Sequence, residues 1–134
     1  MMSTISYDGH LRCTCTHIQS GSKFETDAPT DNKGKGERFS PTDTLCISLA
    51  TCIITTMAIK AESMGIELAG SKLEVYKHML SEPRRIGKIE INLNLKANSL
   101  DADQKKILEA AGNGCPVKRS LHPELVTIIS YNWS

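Results

Sequence analysis

Five cysteines, Cys13, Cys15, Cys46, Cys52 and Cys115, are the residues of this sequence best able to do chemistry. The thiolate is the reactive form, so each thiol is judged by what would draw off its proton and what could approach it. Cys115 has the most favourable local setting. Gly114-Cys115-Pro116-Val117-Lys118-Arg119 puts its sulfur at the start of a helix whose first residue is proline, with two cations following. Helix amides and nearby positive charge both favour a thiolate, so a lowered pKa is expected there. The competing reading is a small buried residue at a cap. Cys52 lies twelve residues beyond Ser40 in an apolar segment, out of range of a terminal dipole, and reads locally as an inert core thiol. Cys46 falls about 120° round a helix from Cys52 and reads as core.

Cys13 and Cys15 share one face of a strand, with His10 and His17 close in sequence, which raises the question of zinc. Structural zinc sites bring ligand pairs on tight knuckles, and Cys-x-Cys within a strand lacks the knuckle, so no metal is expected. His78 and His122 have no partner visible in the sequence and read as satisfied or solvated imidazoles. The sequence holds no G-x-G-x-x-G, no P-loop and no C-x-x-C, so dinucleotide binding, phosphate cradling and a thioredoxin motif lack support and no cofactor is expected.

The elements that must position the thiols follow from pattern. His10–Ile18 and Lys23–Asp27 read as two strands around the turn Gln19-Ser20-Gly21-Ser22. Residues 28–39 carry Pro, Gly and charge without an apolar period and read as a surface loop. Ser40-Pro41-Thr42-Asp43 starts a helix: Ser40 can cap, Pro41 suits the first position, and Asp43 is an acid three residues after the cap. That helix runs to about Met64, where Gly65 stops it. Apolar residues surround it, from Leu45 and Ile47 to Met57 and Ile59, as for a central helix covered on every side. Lys72–Met79 and Ile86–Leu95 alternate as half-buried antiparallel strands, with Ile89, Ile91, Leu93 and Leu95 on one face. A helix from Ser99 to about Ala111, a short helix from Pro116 to Leu121 and a strand from Leu125 to Tyr131 complete the chain. The order β-β-α-β-β-α-α-β gives an α+β class, with the long helix against an antiparallel sheet. One small sheet cannot cover such a helix, so a homodimer is expected.

With 134 residues the chain fits one domain, residues 1–134. Its composition, 40% hydrophobic and 23% charged, argues against long disorder. A net charge of +1 gives no field to hold a polyanion, so nucleic acid is not an expected partner. The longest uncharged stretch, Thr44–Ile59, is too short and too rich in Thr and Ser for a bilayer that needs about 20 apolar residues, so no membrane partner is expected. The N-terminal residues show no secretory pattern, and an odd number of cysteines without a framework suits free thiols in a reducing, cytoplasmic setting.

Three segments together carry a family resemblance. They are Asp27-Ala28-Pro29 with its Gly-containing loop, Phe39-Ser40-Pro41-Thr42-Asp43-Thr44-Leu45 through Ala50-Thr51-Cys52, and Gly114-Cys115-Pro116-Val117-Lys118-Arg119-Ser120-Leu121 with its closing strand. In these the chain resembles the OsmC/Ohr family, the osmotically inducible protein C-like and organic hydroperoxide resistance proteins. The resemblance implies an OsmC-like fold, an intertwined homodimer with paired central helices, and a thiol peroxidase. By it Cys52 is the peroxidatic residue and Cys115 the resolving one, with an organic hydroperoxide as substrate and a dithiol as reductant. The family's hydroperoxide reductases place a Glu after the helix-start Pro to hold an activating Arg. Here Thr42 occupies that position and Asp43 is the next acid, while Arg12 and Arg38 are the arginines that the resemblance offers. Two other readings stand beside it: a non-catalytic or weakly active dimer holding a small apolar ligand, and a general thiol-disulfide oxidoreductase.

Overall fold

The computed structural model describes all 134 residues and divides into two compact units, Met1–Leu45 and Cys46–Ser134. In the first unit, β1 (Ser3–Gly9), β2 (Arg12–His17) and β3 (Lys23–Asp27) form an antiparallel meander in that spatial order. β1 is absent from the sequence reading. His10 and Leu11 both adopt left-handed backbone (φ 53° and 64°) and close a two-residue turn between Gly9 and Arg12. Such turns usually announce themselves as Asn-Gly or Asp-Gly, and this one carries neither. A single 3-10 turn, Thr30–Asn32, interrupts the loop that follows β3.

Helix α1 (Pro41–Ser63) begins in the first unit and continues through the second. Its start is a reciprocal cap: the Ser40 amide donates to Asp43 Oδ2 (2.9 Å) and the Asp43 amide to Ser40 Oγ (3.0 Å). Gly65, at φ 70°, follows its end. Its buried residues, Cys46, Leu49, Ala50, Ile53, Met57 and Ala61, follow three- and four-residue spacings, with Leu49 and Ala50 adjacent, and so form one stripe. The other sides are only partly covered within one chain, and Ile59 is 67% exposed. By length and composition α1 would also pass for a membrane span, as core helices do.

In the second unit, β4 (Lys72–Leu80), β5 (Arg85–Leu95) and β6 (Val126–Trp133) form a sheet with β5 at its centre. β4 pairs antiparallel with β5, but β6 runs parallel to β5, so this sheet is mixed where an antiparallel one was expected. A parallel partner requires a crossover, and α2 (Ala102–Asn113) and α3 (Pro116–Ser120) supply it. An Asp101/Gln104 capping box starts α2. Ile89, Ile91, Leu93 and Leu95 are fully buried, as their alternation requires, and share one cluster with Leu49, Ile53, Met57, Leu108 and Cys115. Each such side chain contributes about 1.5–3 kcal/mol by leaving water. The cluster thereby fixes the part of α1 that bears Cys52 and the α2–α3 junction that bears Cys115.

Candidate active site

The structure brings Cys52 and Cys115 together, although 62 residues separate them in the sequence. The two thiols are close enough for each to act on the other's ionisation, and both are free. Cys52 is half-buried on α1, one turn before Thr56, whose Oγ1 lies 3.9 Å from its sulfur. Cys115 is fully buried, caps α3, and its sulfur accepts from the Lys118 amide at 3.4 Å. The backbone amide of Cys115 donates to Gly112 O (3.2 Å), which ties it to the end of α2.

The local expectation for Cys115 is corrected here. Its pKa is raised, not lowered: burial is the largest cause, and the contact with the Cys52 thiol adds to it against the Lys118 amide. The five-residue α3 brings too few aligned peptides to reverse that cost. The cation that follows at Arg119 is turned aside, its Nε donating to Gly114 O at 2.9 Å. Cys52 packs against the core but is only half-buried, and the pattern of α1 could not reveal its neighbour on the α2–α3 junction. Cys46 is core, as expected. Of the pair, the half-buried Cys52 sulfur is the more accessible to a small molecule and Cys115 is closed off from solvent.

Arg12, Arg38 and Asp43 lie in the first unit. The Arg12 guanidinium grips Asp27 through Nε to Oδ1 (2.7 Å) and Nη2 to Oδ2 (2.9 Å), and Nη2 also donates to Glu37 Oε2 (3.1 Å). This fork holds the buried Asp27 carboxyl well below the ordinary carboxylate range, and the Glu37 amide assists it. The guanidinium is held charged in return. Arg38 donates from Nη1 to Glu37 O (3.0 Å), and its Nε lies 3.6 Å from Glu25 Oε1. Asp43 serves the α1 cap through Oδ2. The acid on Arg12 was therefore missed: Asp27 stands in one of the motifs above but carried no role there. Its signal is the hairpin register, which sets Arg12 directly opposite Asp27.

Cys13 and Cys15 sit on β2 with their side chains on one face, and His17 Nδ1 pairs with Ser20 Oγ at 2.6 Å. No three His, Cys, Asp or Glu side chains gather as a metal site. His78 Nε2 lies 2.6 Å from Glu90 Oε2 across the β4–β5 pair, and His122 Nδ1 accepts from the Glu124 amide.

This fold, with a cysteine on the long helix beside one at the start of α3, defines a class, and the comparisons agree. Residues 34–130 match the family described as OsmC-like protein, and the chain belongs to that family. A crystal structure from Psychrobacter arcticus 273-4, of a candidate osmotic stress induced and detoxification response protein, shares 41% identity. It superposes with a TM-score of 0.92 over 98% of this chain and 96% of that one. A Legionella pneumophila organic hydroperoxide resistance protein OsmC matches with a TM-score of 0.71 at 15% identity, over 98% and 97% of the two chains. An OsmC-like protein from Mycoplasma pneumoniae gives 0.73 at 17%, over 98% and 94%. These two share the fold. No curated protein matches the sequence significantly.

Proposed function

We propose that this protein is a thiol-dependent peroxidase that reduces organic hydroperoxides through Cys52 and Cys115. The observation that supports the reading is the proximity of a half-buried and a fully buried free cysteine, the one acting on the other's ionisation. The Cys52 thiolate attacks the distal oxygen of the hydroperoxide, the O–O bond breaks, and the alkoxide leaves and is protonated to the alcohol. Cys52 is then a sulfenic acid. The Cys115 thiol displaces its hydroxyl, a Cys52–Cys115 disulfide forms, and water is released. A dithiol opens the disulfide, returning both thiols and leaving as its own cyclic disulfide.

Of the two arginines that the family resemblance offers as activator of Cys52, this reading takes Arg12, because Asp27 and Glu37 hold its guanidinium in one orientation. Asp27 takes the acid's part that the sequence offered to Asp43. The working form is a homodimer. Its support is apolar surface that one chain leaves uncovered: Ile5, Tyr7 and Phe24 on one face of the β1–β3 sheet, and Ile59 on α1. The reducing cytoplasm suits the free thiols and the dithiol reductant.

The test is intact mass and peptide mapping of the reduced protein after one equivalent of cumene hydroperoxide. The expected result is loss of two hydrogens, mapped to a disulfide joining Cys52 and Cys115, with no peroxide consumed by Cys52→Ser. Unchanged thiols, or a Cys52→Ser variant as active as the wild type, overturn the reading.

A further inference from the structure

The end of α2 is held from one side by two aromatic side chains of β6. Tyr131, on β6, donates its hydroxyl to Asn113 Oδ1 at 2.9 Å and approaches Glu109 O at 3.4 Å. Two residues further along β6, Trp133 Nε1 donates to Glu109 Oε1 at 2.8 Å. Asn113 and Glu109 lie in the last turn or so of α2, immediately before the Gly114-Cys115 junction. Gly112 lies between, packed so closely that a Cβ there would sit 2.8 Å from Met57 Cγ and 3.1 Å from the Tyr131 oxygen. Gly112 O in turn accepts the Cys115 amide. A continuous path thus runs from the Tyr131 hydroxyl through the α2 terminus to the Cys115 backbone, while Met57 ties the same terminus to α1, five residues after Cys52.

We infer that Tyr131 is a positioning residue for the resolving thiol, its hydroxyl clamping the end of α2 so that Cys115 stays within reach of Cys52. The inference rests on the proposed thiol chemistry. The Tyr131 hydroxyl bonds neither reacting sulfur, although it lies near enough to Cys115 to feel its charge; it acts through Asn113, Glu109 and the peptide that carries Cys115. Burial pushes its phenol up to about 12, so the group remains a hydrogen-bond donor throughout the working range. Two steps of the cycle should therefore separate: attack on the peroxide at Cys52 does not need the clamp, and closure of the disulfide does.

Tyr131→Phe, Asn113→Ala and the double variant test this. Cys52 sulfenic acid is trapped with dimedone and disulfide closure is followed by mass, both after one equivalent of cumene hydroperoxide. Loss of one net hydrogen bond corresponds to about a three- to tenfold change in closure rate. The expected result is that Tyr131→Phe closes slower by about that factor, accumulates the dimedone adduct and consumes peroxide at the wild-type rate. Because both variants cut one path, the double variant should close no slower than Tyr131→Phe alone. Wild-type closure in Tyr131→Phe overturns the inference. So do attack and closure falling together, which marks a merely structural role, and losses that multiply in the double variant. Failure of the underlying reading looks different, since the wild type itself would then form no Cys52–Cys115 disulfide.

Discussion

Gly112→Ala sets two effects against each other at the junction that carries Cys115. Alanine in place of glycine within a helix gains about 1 kcal/mol, and less at the penultimate position of α2, where fraying already lowers the cost of glycine. Against this stands crowding. The added carbon would meet Met57 Cγ at 2.8 Å, Met57 Sδ at 3.0 Å and the Tyr131 oxygen at 3.1 Å. A methionine at a surface would swing away, but Met57 is fully buried in the core cluster, and Tyr131 is held by its hydrogen bonds. Overpacking of this kind costs about 1–3 kcal/mol, so crowding should win by about 0.5–2 kcal/mol. For a chain of this size that is a fall in Tm of about 3–4 °C for each kcal/mol.

Thermal and urea unfolding of the reduced protein measure the effect, and Met57→Ala in the same background identifies its cause. Alone, Met57→Ala should cost about 2–5 kcal/mol by leaving a cavity. Combined with Gly112→Ala, it should cost less than the sum by about 0.5–3 kcal/mol, because the new methyl enters the space that methionine vacates. A Tm above wild type for Gly112→Ala would refute the reasoning, since the helix would then have moved away from Met57 at no expense. Strict additivity in the double variant would refute it equally.

Asp27→Asn tests the Arg12 fork. Because Arg12 holds the folded-state carboxyl below its ordinary value near 3.8, its contribution is present above about pH 4 and is lost as pH falls through the folded pKa. Wild-type urea midpoints should therefore drop more steeply between pH 4 and the acid limit than those of Asp27→Asn, and parallel profiles would count against the fork. Tyr131 works in the opposite direction. Its folded pKa is raised from 10.0 to about 12, so its stabilising effect is complete below pH 10 and is lost as pH rises through about 12. A phenolate absorbance step near pH 12 that disappears in Tyr131→Phe is the expected result.

Much of the frame was legible because its signals are local. The alternation of Ile89, Ile91, Leu93 and Leu95, the Ser40-Pro41 start and Gly65 stop of α1, and Pro116 at the head of α3 each depend on neighbours a few residues away. β1 was not legible, because its turn uses His10 and Leu11 at positive φ, where no turn residue advertises it. The parallel placement of β6 depends on where a crossover lands, which periodicity does not encode. The site divides in the same way. Cysteines were visible as residue types, but the pairing of Cys52 with Cys115 entered only through the family resemblance, since neither segment contains a mark of the other. Asp27 was hidden for a related reason: its role depends on cross-strand register with Arg12.

The reversal at Cys115 shows which physical term governs this site. A cap position, a proline and two cations all point towards a thiolate, and each of those effects weakens with exposure to water or with a short helix. Burial does not weaken: removing the sulfur from water penalises only the charged form, and it dominates here. In the proposed cycle that protonated state is useful. Displacing hydroxide from a sulfenic acid is easier when the leaving oxygen receives a proton, and Cys115 arrives beside Cys52 carrying one. Ionisation of Cys115 as the new sulfur–sulfur bond forms supplies that proton, and the product is water. In that cycle the same burial shields Cys115 from peroxide until Cys52 has reacted. In the proposed cycle one feature, a fully buried thiol against a half-buried one, accounts for the order of the two steps.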